Sequence, residues 1–204
     1  FDGSDDKIQV KNHEDFQLNS SSTVEMWIRP DSTSSSIVIS CGGIGNTDDK
    51  PGWSFHLDGT IKARIRNAAD TANYDLTTAT TLSTGTWYHV AWCRDENISK
   101  IFLNGICEAA STATTHTDKT PSNLGDAAVD LEIGSSHQDS LYYDGLMDEI
   151  RISNGIARYT PDGSLRSGIV PSTSTGAGST GSSIPTSPFL RPTPYVATDG
   201  GRGY

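Results

Sequence analysis

Apolar and polar residues alternate in short runs through the first three quarters of the chain, with the period of two that β-strands show. Clusters of Gly, Asn, Asp and Ser separate the runs and are typical of turns. Many short strands with regularly spaced turns indicate an all-β sandwich. The pattern predicts strands at 7–10, 23–29, 36–41, 53–58, 60–66, 86–94, 99–105, 106–109, 129–134 and 146–153.

Two dipeptides inside this pattern predict tight hairpin turns. Asp58-Gly59 and Asn104-Gly105 each separate two strand-like runs, as expected of type I′ turns, in which both central residues have positive φ. We therefore predict a hairpin at 53–66 and an up-down-up meander at 87–109. The strand at 86–94 is apolar on both faces, so it should be central in its sheet. His89, on one of these faces, is expected to be a hydrogen-bonded core residue.

The run "LMDEIRIS" at 146–153 contains a carboxylate among apolar residues. Strict alternation places Asp148 on the same face as Leu146, Ile150 and Ile152, and that face should pack against the core. A buried carboxylate is costly without compensation. The sequence leaves three compensating partners open: a basic side chain, a cluster of backbone N–H groups, or a bound cation.

The composition changes near residue 160, where Ser, Thr, Gly and Pro become dominant. A segment of this kind buries too little apolar surface to offset its conformational entropy, so it is ordered only when something holds it. We therefore divide the chain into a domain at 1–160 and an extended C-terminal arm at 161–204. Neighbouring subunits are the expected partners of the arm, through its few apolar anchors, Ile184, Phe189, Leu190 and Tyr195.

Charge and cysteine content narrow the classes of partner. The formal net charge is −10 and the pI is about 4.7, which argues against nucleic acid and anionic membranes and is compatible with cations and neutral glycans. No apolar run is long enough to span a membrane. The three cysteines form no CxxC pair, so a zinc site is not expected. Cys93 and Cys107 are either a disulfide or, with Cys41, small buried thiols.

Four blocks of sequence, in this order, resemble a laminin-G-like domain of the concanavalin A-like superfamily. The blocks are "FDGSDDKIQV", "STVEMWIRP", "TWYHVAWCRD…SKIFLNG" and "LEIGSS…YYDGLMDEIRISNGIARYT". The resemblance covers about residues 1–160. It implies a two-sheet antiparallel jelly-roll sandwich, in agreement with the alternation pattern.

The end of the domain resembles a narrower group. "NGIARYT", followed later by "PTSPF" at 185–189, is similar to the end of laminin-G-like domains in bacteriophage virion proteins. With the arm, this resemblance predicts a structural virion surface protein, either a capsid decoration or a tail or fibre component. Its partners would be identical subunits or other virion proteins, bound through the arm.

The resemblance also implies a cofactor. Members of the superfamily often hold a structural Ca²⁺ between the first and last strands. The last-strand ligand corresponds to Asp148, and the first-strand ligands correspond to Asp2 and Gly3. Calcium takes six to eight oxygen ligands, which carboxylates and carbonyls supply. The alternative is that Asp148 is paired with Lys or Arg, or accepts backbone hydrogen bonds.

Catalysis is not expected. Jelly-roll hydrolases carry an E-x-D-x-x-E strand, because retaining glycoside hydrolysis needs two carboxyl groups about 5 Å apart. This chain lacks that motif. Asp130 and Glu132 share one face of a strand, but that face is expected to be solvent-exposed, with Leu131 and Ile133 in the core. The sequence therefore predicts that the protein is not an enzyme.

Glycan binding is the second functional class that the sequence supports. Aromatic rings stack on sugar rings, and four aromatic residues lie in or beside loops: Trp53, Tyr74, Tyr142 and Tyr143. The alternative is that these rings cap the sandwich. The competing functions are thus a secreted or cell-surface carbohydrate-binding and adhesion module, or a subunit of an extracellular filament. The expected location is the virion surface or the extracellular space.

Overall fold

The computed structural model describes residues 1–16, 18, 21–42, 52–66, 73–95, 98–111, 130–136 and 140–159. The predicted arm at 161–204, its anchors and the domain boundary at 160 lie outside the described residues and stay predictions. Within those residues no helix has the length and apolarity that a membrane crossing requires.

Eleven strands and one short 3₁₀ turn at Glu14–Phe16 make up the described structure. The strands are β1 Ile8–Val10, β2 Ser21–Pro30, β3 Ser36–Gly42, β4 Gly52–Asp58, β5 Thr60–Arg66, β6 Asn73–Thr77, β7 Tyr88–Asp95, β8 Ile98–Leu103, β9 Ile106–Ala110, β10 Leu131–Ile133 and β11 Gly145–Asn154.

The strands form two antiparallel sheets, as the sequence predicted. One has the order β1-β10-β3-β4-β5-β6 and the other β11-β2-β7-β8-β9. The hairpin β4–β5 and the meander β7-β8-β9 are confirmed. Positive φ at both Asn104 and Gly105 fits the predicted type I′ turn, whereas at Asp58-Gly59 only Gly59 has positive φ, so that turn is not type I′.

The main core lies between the two sheets and a smaller apolar cluster lies on the outer face of the five-stranded sheet. Strand β7 contributes to both, because Tyr88, Val90 and Trp92 join the main core while Ala91 and Cys93 join the smaller cluster. Its predicted central position is confirmed.

The cysteines form no disulfide, so the Cys93–Cys107 bridge is excluded in this structure. Cys41 and Cys93 are buried and Cys107 is half-buried, in agreement with the alternative that they are small packed thiols.

Strand β11 contains a β-bulge that the alternation pattern did not predict. Asp148 is paired with Trp27 and Arg151 with Glu25, so two residues of β11 oppose the single residue Met26 of β2. Glu149, inside the bulge, has a φ of 50°. The extra residue reverses the alternation of side chains between the two faces.

The bulge explains how the carboxylate of Asp148 is accommodated. Met147, Ile150 and Ile152 pack against the main core, whereas Leu146 is 43% exposed. The prediction that Leu146 and Asp148 face the core is therefore wrong. Asp148 is half-buried on the outer face, opposite Trp27, and its Oδ1 accepts a hydrogen bond of 2.8 Å from the backbone N–H of Glu149.

A buried carboxylate does exist on this outer face, but it belongs to Glu25 of β2, which is 2% exposed. Its Oε1 accepts a hydrogen bond of 2.6 Å from Arg151 Nε, and its Oε2 accepts one from the Tyr159 hydroxyl. His89 Nε2 lies 3.4 Å from Oε2. The expected core role of His89 is confirmed, and its partner is an acid distant in sequence.

The Glu25 network fixes the segment that crosses the outer face after β11. Thr23 Oγ1 donates to the carbonyl of Ile156 at 2.9 Å and accepts from the backbone N–H of Arg158 at 3.0 Å. Tyr159, bonded to Glu25, packs on Phe102 with 5.3 Å between ring centroids. The segment that follows β11 is therefore attached, up to Tyr159, to the middle of the five-stranded sheet.

The charges of this network shift the pKa values of its members. Burial alone would raise the pKa of Glu25, but hydrogen bonds from His89 and Tyr159 and the charge of Arg151 outweigh burial, so the pKa is lowered. Burial and the charge of Glu25 raise the pKa of Tyr159. Glu25 is thus ionised and Tyr159 protonated at neutral pH.

We predict that Glu25→Gln lowers the free energy of unfolding by about 3 kcal/mol at neutral pH, because it leaves the partly buried guanidinium of Arg151 without its counter-charge. A lowered pKa in the folded state adds stability above the ordinary pKa of 4.5, and that stability is lost as the pH falls through the folded-state value. The difference in the free energy of unfolding between the wild type and Glu25→Gln should therefore decrease as the pH falls. Urea unfolding followed by tryptophan fluorescence, from about pH 7 to about pH 3, measures it.

Glu108→Gln is the matched control, because Thr80 is the one hydrogen-bond donor to Glu108 among the described residues and the contact is exposed. Its cost should stay below about 1 kcal/mol. If the loss of unfolding free energy in Glu25→Gln does not depend on pH, the ionised state of Glu25 in this network is contradicted.

Candidate functional site

A polar pocket of about 200 Å³ lies where three segments of the chain meet. They are the start of the chain, the loop between β2 and β3, and the segment that leads into β11. We call it the Ser–Asp pocket, because its lining includes two aspartates and five serines. The tyrosine in the lining is Tyr142. The aspartates and serines are Asp2, Asp144, Ser32, Ser34, Ser35, Ser36 and Ser140.

The start of the chain is tied to β11 by backbone hydrogen bonds. Phe1 and Gly145 exchange two of them, with N···O distances of 3.0 and 3.2 Å, and Asp2 forms a β-bridge with Asp144. The resemblance implied a calcium ion between the first and last strands. In this structure backbone hydrogen bonds join the start of the chain to the entry of β11, and they fix one wall of the pocket.

The other wall is fixed in the same way. The carbonyl of Asp144 accepts a hydrogen bond of 2.9 Å from the backbone N–H of Asp31, and the carbonyl of Leu141 accepts one of 3.0 Å from Ile37. Ile37 and Tyr142 form a parallel bridge. Because backbone groups hold all three segments, the backbone positions that carry the lining side chains are fixed relative to one another.

Adjacent tyrosines divide between core and pocket. Tyr143 is 0% exposed and meets the ring of Phe1 edge-on, with 6.1 Å between centroids. Burial, with the nearby charges of Asp31 and Asp144, raises the pKa of Tyr143. Tyr142 is half-buried and lines the pocket. Alternation along the extended segment places the two rings on opposite sides.

The aromatic residues predicted for glycan stacking have different outcomes. Trp53 is 0% exposed, donates from Nε1 to the carbonyl of Phe16 at 2.8 Å and meets Trp92 edge-on. The glycan-stacking role is therefore wrong for Trp53 and for Tyr143, because both rings are enclosed in the core. Tyr74 lies in β6, paired with Ile65, and its role stays a prediction.

A buried hydroxyl without a partner lies in the pocket wall. Ser36 is 5% exposed, and its Oγ has no hydrogen-bond partner among the described residues. Such a group loses its hydration without compensation, which costs about 1–3 kcal/mol. A ligand hydroxyl in the pocket would supply the missing bond. Sequence reasoning did not single out Ser36, although the run "DSTSSS" at 31–36 was a visible signal.

The predicted calcium ligands do not meet in one place. Asp2 and Gly3 adjoin Asp144, whereas Asp148 lies four residues further along β11, roughly 13 Å away at the usual rise per residue. The carboxylate that adjoins the start of the chain is thus Asp144, which the sequence prediction missed. The positions of Asp2, Gly3 and Asp148 therefore do not fit one calcium site, and Asp148 is not assigned as a calcium ligand.

An exposed acidic turn adjoins the pocket. Carboxylate oxygens of Asp2, Asp5 and Asp6 lie within 4.8 Å of one another. Two of these groups bond to the turn itself, since Asp2 Oδ1 accepts from the backbone N–H of Ser4 and Asp6 Oδ2 from that of Asp2.

The acids of β10 and its flank are structural ion-pair partners. Glu132 is 1% exposed and bonds to Lys7 at 3.1 Å and to the Ser135 hydroxyl at 2.8 Å. Its predicted exposure to solvent is wrong, whereas the core positions of Leu131 and Ile133 are confirmed. Asp130 accepts from Lys11 at 3.1 Å. Both carboxylates are paired with lysines, so they do not form the arrangement that hydrolysis requires.

Family comparison agrees with the fold. The family model of the concanavalin A-like lectin/glucanases superfamily matches residues 2–158, and the chain therefore belongs to this superfamily, within its laminin-G-like group. A comparison with curated proteins gave no significant match.

Several solved structures share the fold at low sequence identity. The CBM40 of the Ruminococcus gnavus IT-sialidase, bound to α2,3-sialyllactose, is 13% identical with a TM-score of 0.61 over 76% of this chain and 89% of that chain. Domain 4 of AbnA, an extracellular GH43 arabinanase from Geobacillus stearothermophilus in complex with arabinotriose, is 21% identical with a TM-score of 0.51 over 69% and 64%. Domains LG4-5 of the mouse laminin α1 chain are 12% identical with a TM-score of 0.52 over 75% and 40%.

We predict that Gly3→Ala destabilises the protein more than Gly85→Ala does. Both glycines have similar φ values, 75° and 71°, where a Cβ is strained by about 1–2 kcal/mol. A Cβ at residue 3 would also lie 2.9 Å from Asp144 Cβ, whereas one at residue 85 meets nothing within 4 Å. Chemical denaturation of both variants measures the difference. Equal losses would contradict the close approach of the chain start to Asp144.

Proposed function

We propose that this chain is a non-catalytic carbohydrate-binding module of an extracellular protein, and that the glycan binds in the Ser–Asp pocket. The observation that carries the proposal is the unpartnered hydroxyl of Ser36, buried in the wall of a pocket that also contains Tyr142 and two carboxylates.

The lining suits the chemistry of a saccharide. Sugars present many hydroxyl donors and one apolar ring face. The carboxylates of Asp2 and Asp144 and the serine hydroxyls accept hydrogen bonds from hydroxyl groups. Tyr142 supplies an amphipathic ring beside them. A mostly apolar ligand would leave these polar groups without partners, which is costly.

The absence of catalytic activity is part of the proposal. Hydrolysis of a glycoside requires a paired acid and base, one of them with a raised pKa. Asp2 is exposed and its Oδ1 bonds to a backbone N–H of its own turn. Glu132 and Asp130 are paired with lysines. Among the described residues, the pocket therefore offers groups for binding rather than for acid–base chemistry.

The comparisons support an extracellular glycan-binding module. Two of the similar structures are complexes with a saccharide, one with sialyllactose and one with arabinotriose. At identities of 13% and 21% the similarity extends to the fold alone. The saccharide bound in each structure is therefore a ligand of that protein and is not assigned to this chain. The virion role, which rested on the resemblance of "NGIARYT" and "PTSPF" and on the arm at 161–204, stays a prediction.

We predict that the protein binds glycans on an array and that Tyr142→Ala weakens binding at least about tenfold, because the ring provides the central apolar contact. Tyr142→Phe keeps the ring and should retain most of the affinity. Titration calorimetry with the strongest array ligand measures all three proteins. Unchanged binding by Tyr142→Ala would contradict the assignment of the pocket.

We predict that Ser36→Ala weakens glycan binding about fivefold while leaving stability unchanged or slightly raised, because the hydroxyl has no hydrogen-bond partner in the described part of the chain. Ser99→Ala is the matched control. Its Oγ is also buried without a partner, but Ser99 lies in β8, outside the pocket. Thermal unfolding and calorimetry on both variants separate binding from stability. Equal effects of the two variants on affinity would argue against a contact between Ser36 and the glycan.

A further inference from the structure

We infer that the Ser–Asp pocket is charge-selective: it takes neutral and cationic saccharides and rejects acidic ones. This inference rests on the proposed function and specifies the class of ligand. The sialyllactose of the CBM40 complex carries a carboxylate whereas the arabinotriose of the AbnA complex is neutral, so these two complexes do not decide the charge of the ligand.

The first argument is the sign of the charges in the pocket wall. Asp2 and Asp144 are the charged residues among the described lining, and that lining includes no lysine or arginine. The remaining polar groups are hydroxyls, which are neutral. A sugar carboxylate or sulfate in this pocket would face two like charges with no cation to neutralise it, a common basis of discrimination between ligands.

The second argument is the surroundings of the pocket. Asp5 and Asp6 hold carboxylates within 4.8 Å of that of Asp2, so the negative charge of the pocket continues into the adjoining turn. Arg29, near the end of β2, is paired with Asp31 at 3.6 Å. The formal net charge of the whole chain is −10. Charges of one sign around a concave site raise the local concentration of opposite charges and lower that of like charges.

The third argument is the type of hydrogen bond that the lining favours. Carboxylates only accept, so they pair with hydroxyl or ammonium donors of a sugar and not with another carboxylate. Ser36 Oγ, which has no partner, either donates or accepts, so it complements a sugar hydroxyl in both orientations. A vicinal diol or a 2-amino group satisfies this lining.

A series of sugars that differ in charge at one ring tests the inference. Binding of glucosamine, glucose and glucuronate, and of the corresponding galacto sugars, is measured by NMR titration on the full chain. We expect the amino sugar to bind as well as or better than the neutral sugar, and the uronate about tenfold more weakly than the neutral sugar. Raising the ionic strength should narrow that gap.

Asp144→Asn should reduce the discrimination against the uronate to about threefold or less. Asp75→Asn removes the same charge from β6, where Asp75 is bonded to Arg64 outside the pocket, and should leave the discrimination unchanged. A uronate that binds as tightly as the neutral sugar, or discrimination unaltered in Asp144→Asn, would overturn the inference and leave the glycan-binding function standing. Absence of binding by every sugar in both series and on the array would overturn the proposed function itself, and the inference with it.

Discussion

The pairing of the chain start with the entry to β11 is the constraint on which the site depends. Two backbone hydrogen bonds join Phe1 and Gly145, and the absence of a side chain at Gly3 lets this segment approach Asp144. The same few residues bring Asp2, Asp144 and Tyr142 to one side of the pocket. Backbone hydrogen bonds do not depend on side-chain identity. The side chains that line the pocket can therefore differ without breaking the bonds that hold its three segments.

A second set of interactions holds the segment that follows β11. The bulge at Glu149 turns Arg151 towards Glu25, and Glu25 in turn holds the crossing segment through Tyr159. A buried ion pair of this kind contributes less to net stability than to the definition of one arrangement. Residues 1–3 and the segment that follows β11 are thus both attached to the sandwich by specific polar contacts rather than by apolar packing alone.

Much of the fold was predictable from the sequence because alternation and turn residues report on local structure. The strand β7, apolar on both faces, and the turn at Asn104-Gly105 were interpreted correctly for this reason. The bulge was not predictable, because an inserted residue leaves the letters "LMDEIRIS" compatible with uninterrupted alternation. Only the pairing with Trp27 and Glu25 reveals that the faces change.

The site was predictable only in part, because it is assembled from segments distant in sequence. Tyr142, Asp2 and Gly3 were proposed for two separate sites, glycan and metal, and the structure brings all three to one pocket. Trp53 and Tyr143 were misassigned because a loop-flanking aromatic and a core aromatic have the same local sequence signature. Asp144 and Ser36 were missed because their significance lies in contacts with the chain start and in burial without a partner.

The most direct test of the account is to map where a glycan contacts the protein. Backbone amide shifts recorded during titration with a neutral oligosaccharide should change at residues 2–3, 32–36 and 140–144, the three segments of the Ser–Asp pocket, and little elsewhere. Shifts confined to the outer face of either sheet would contradict the account.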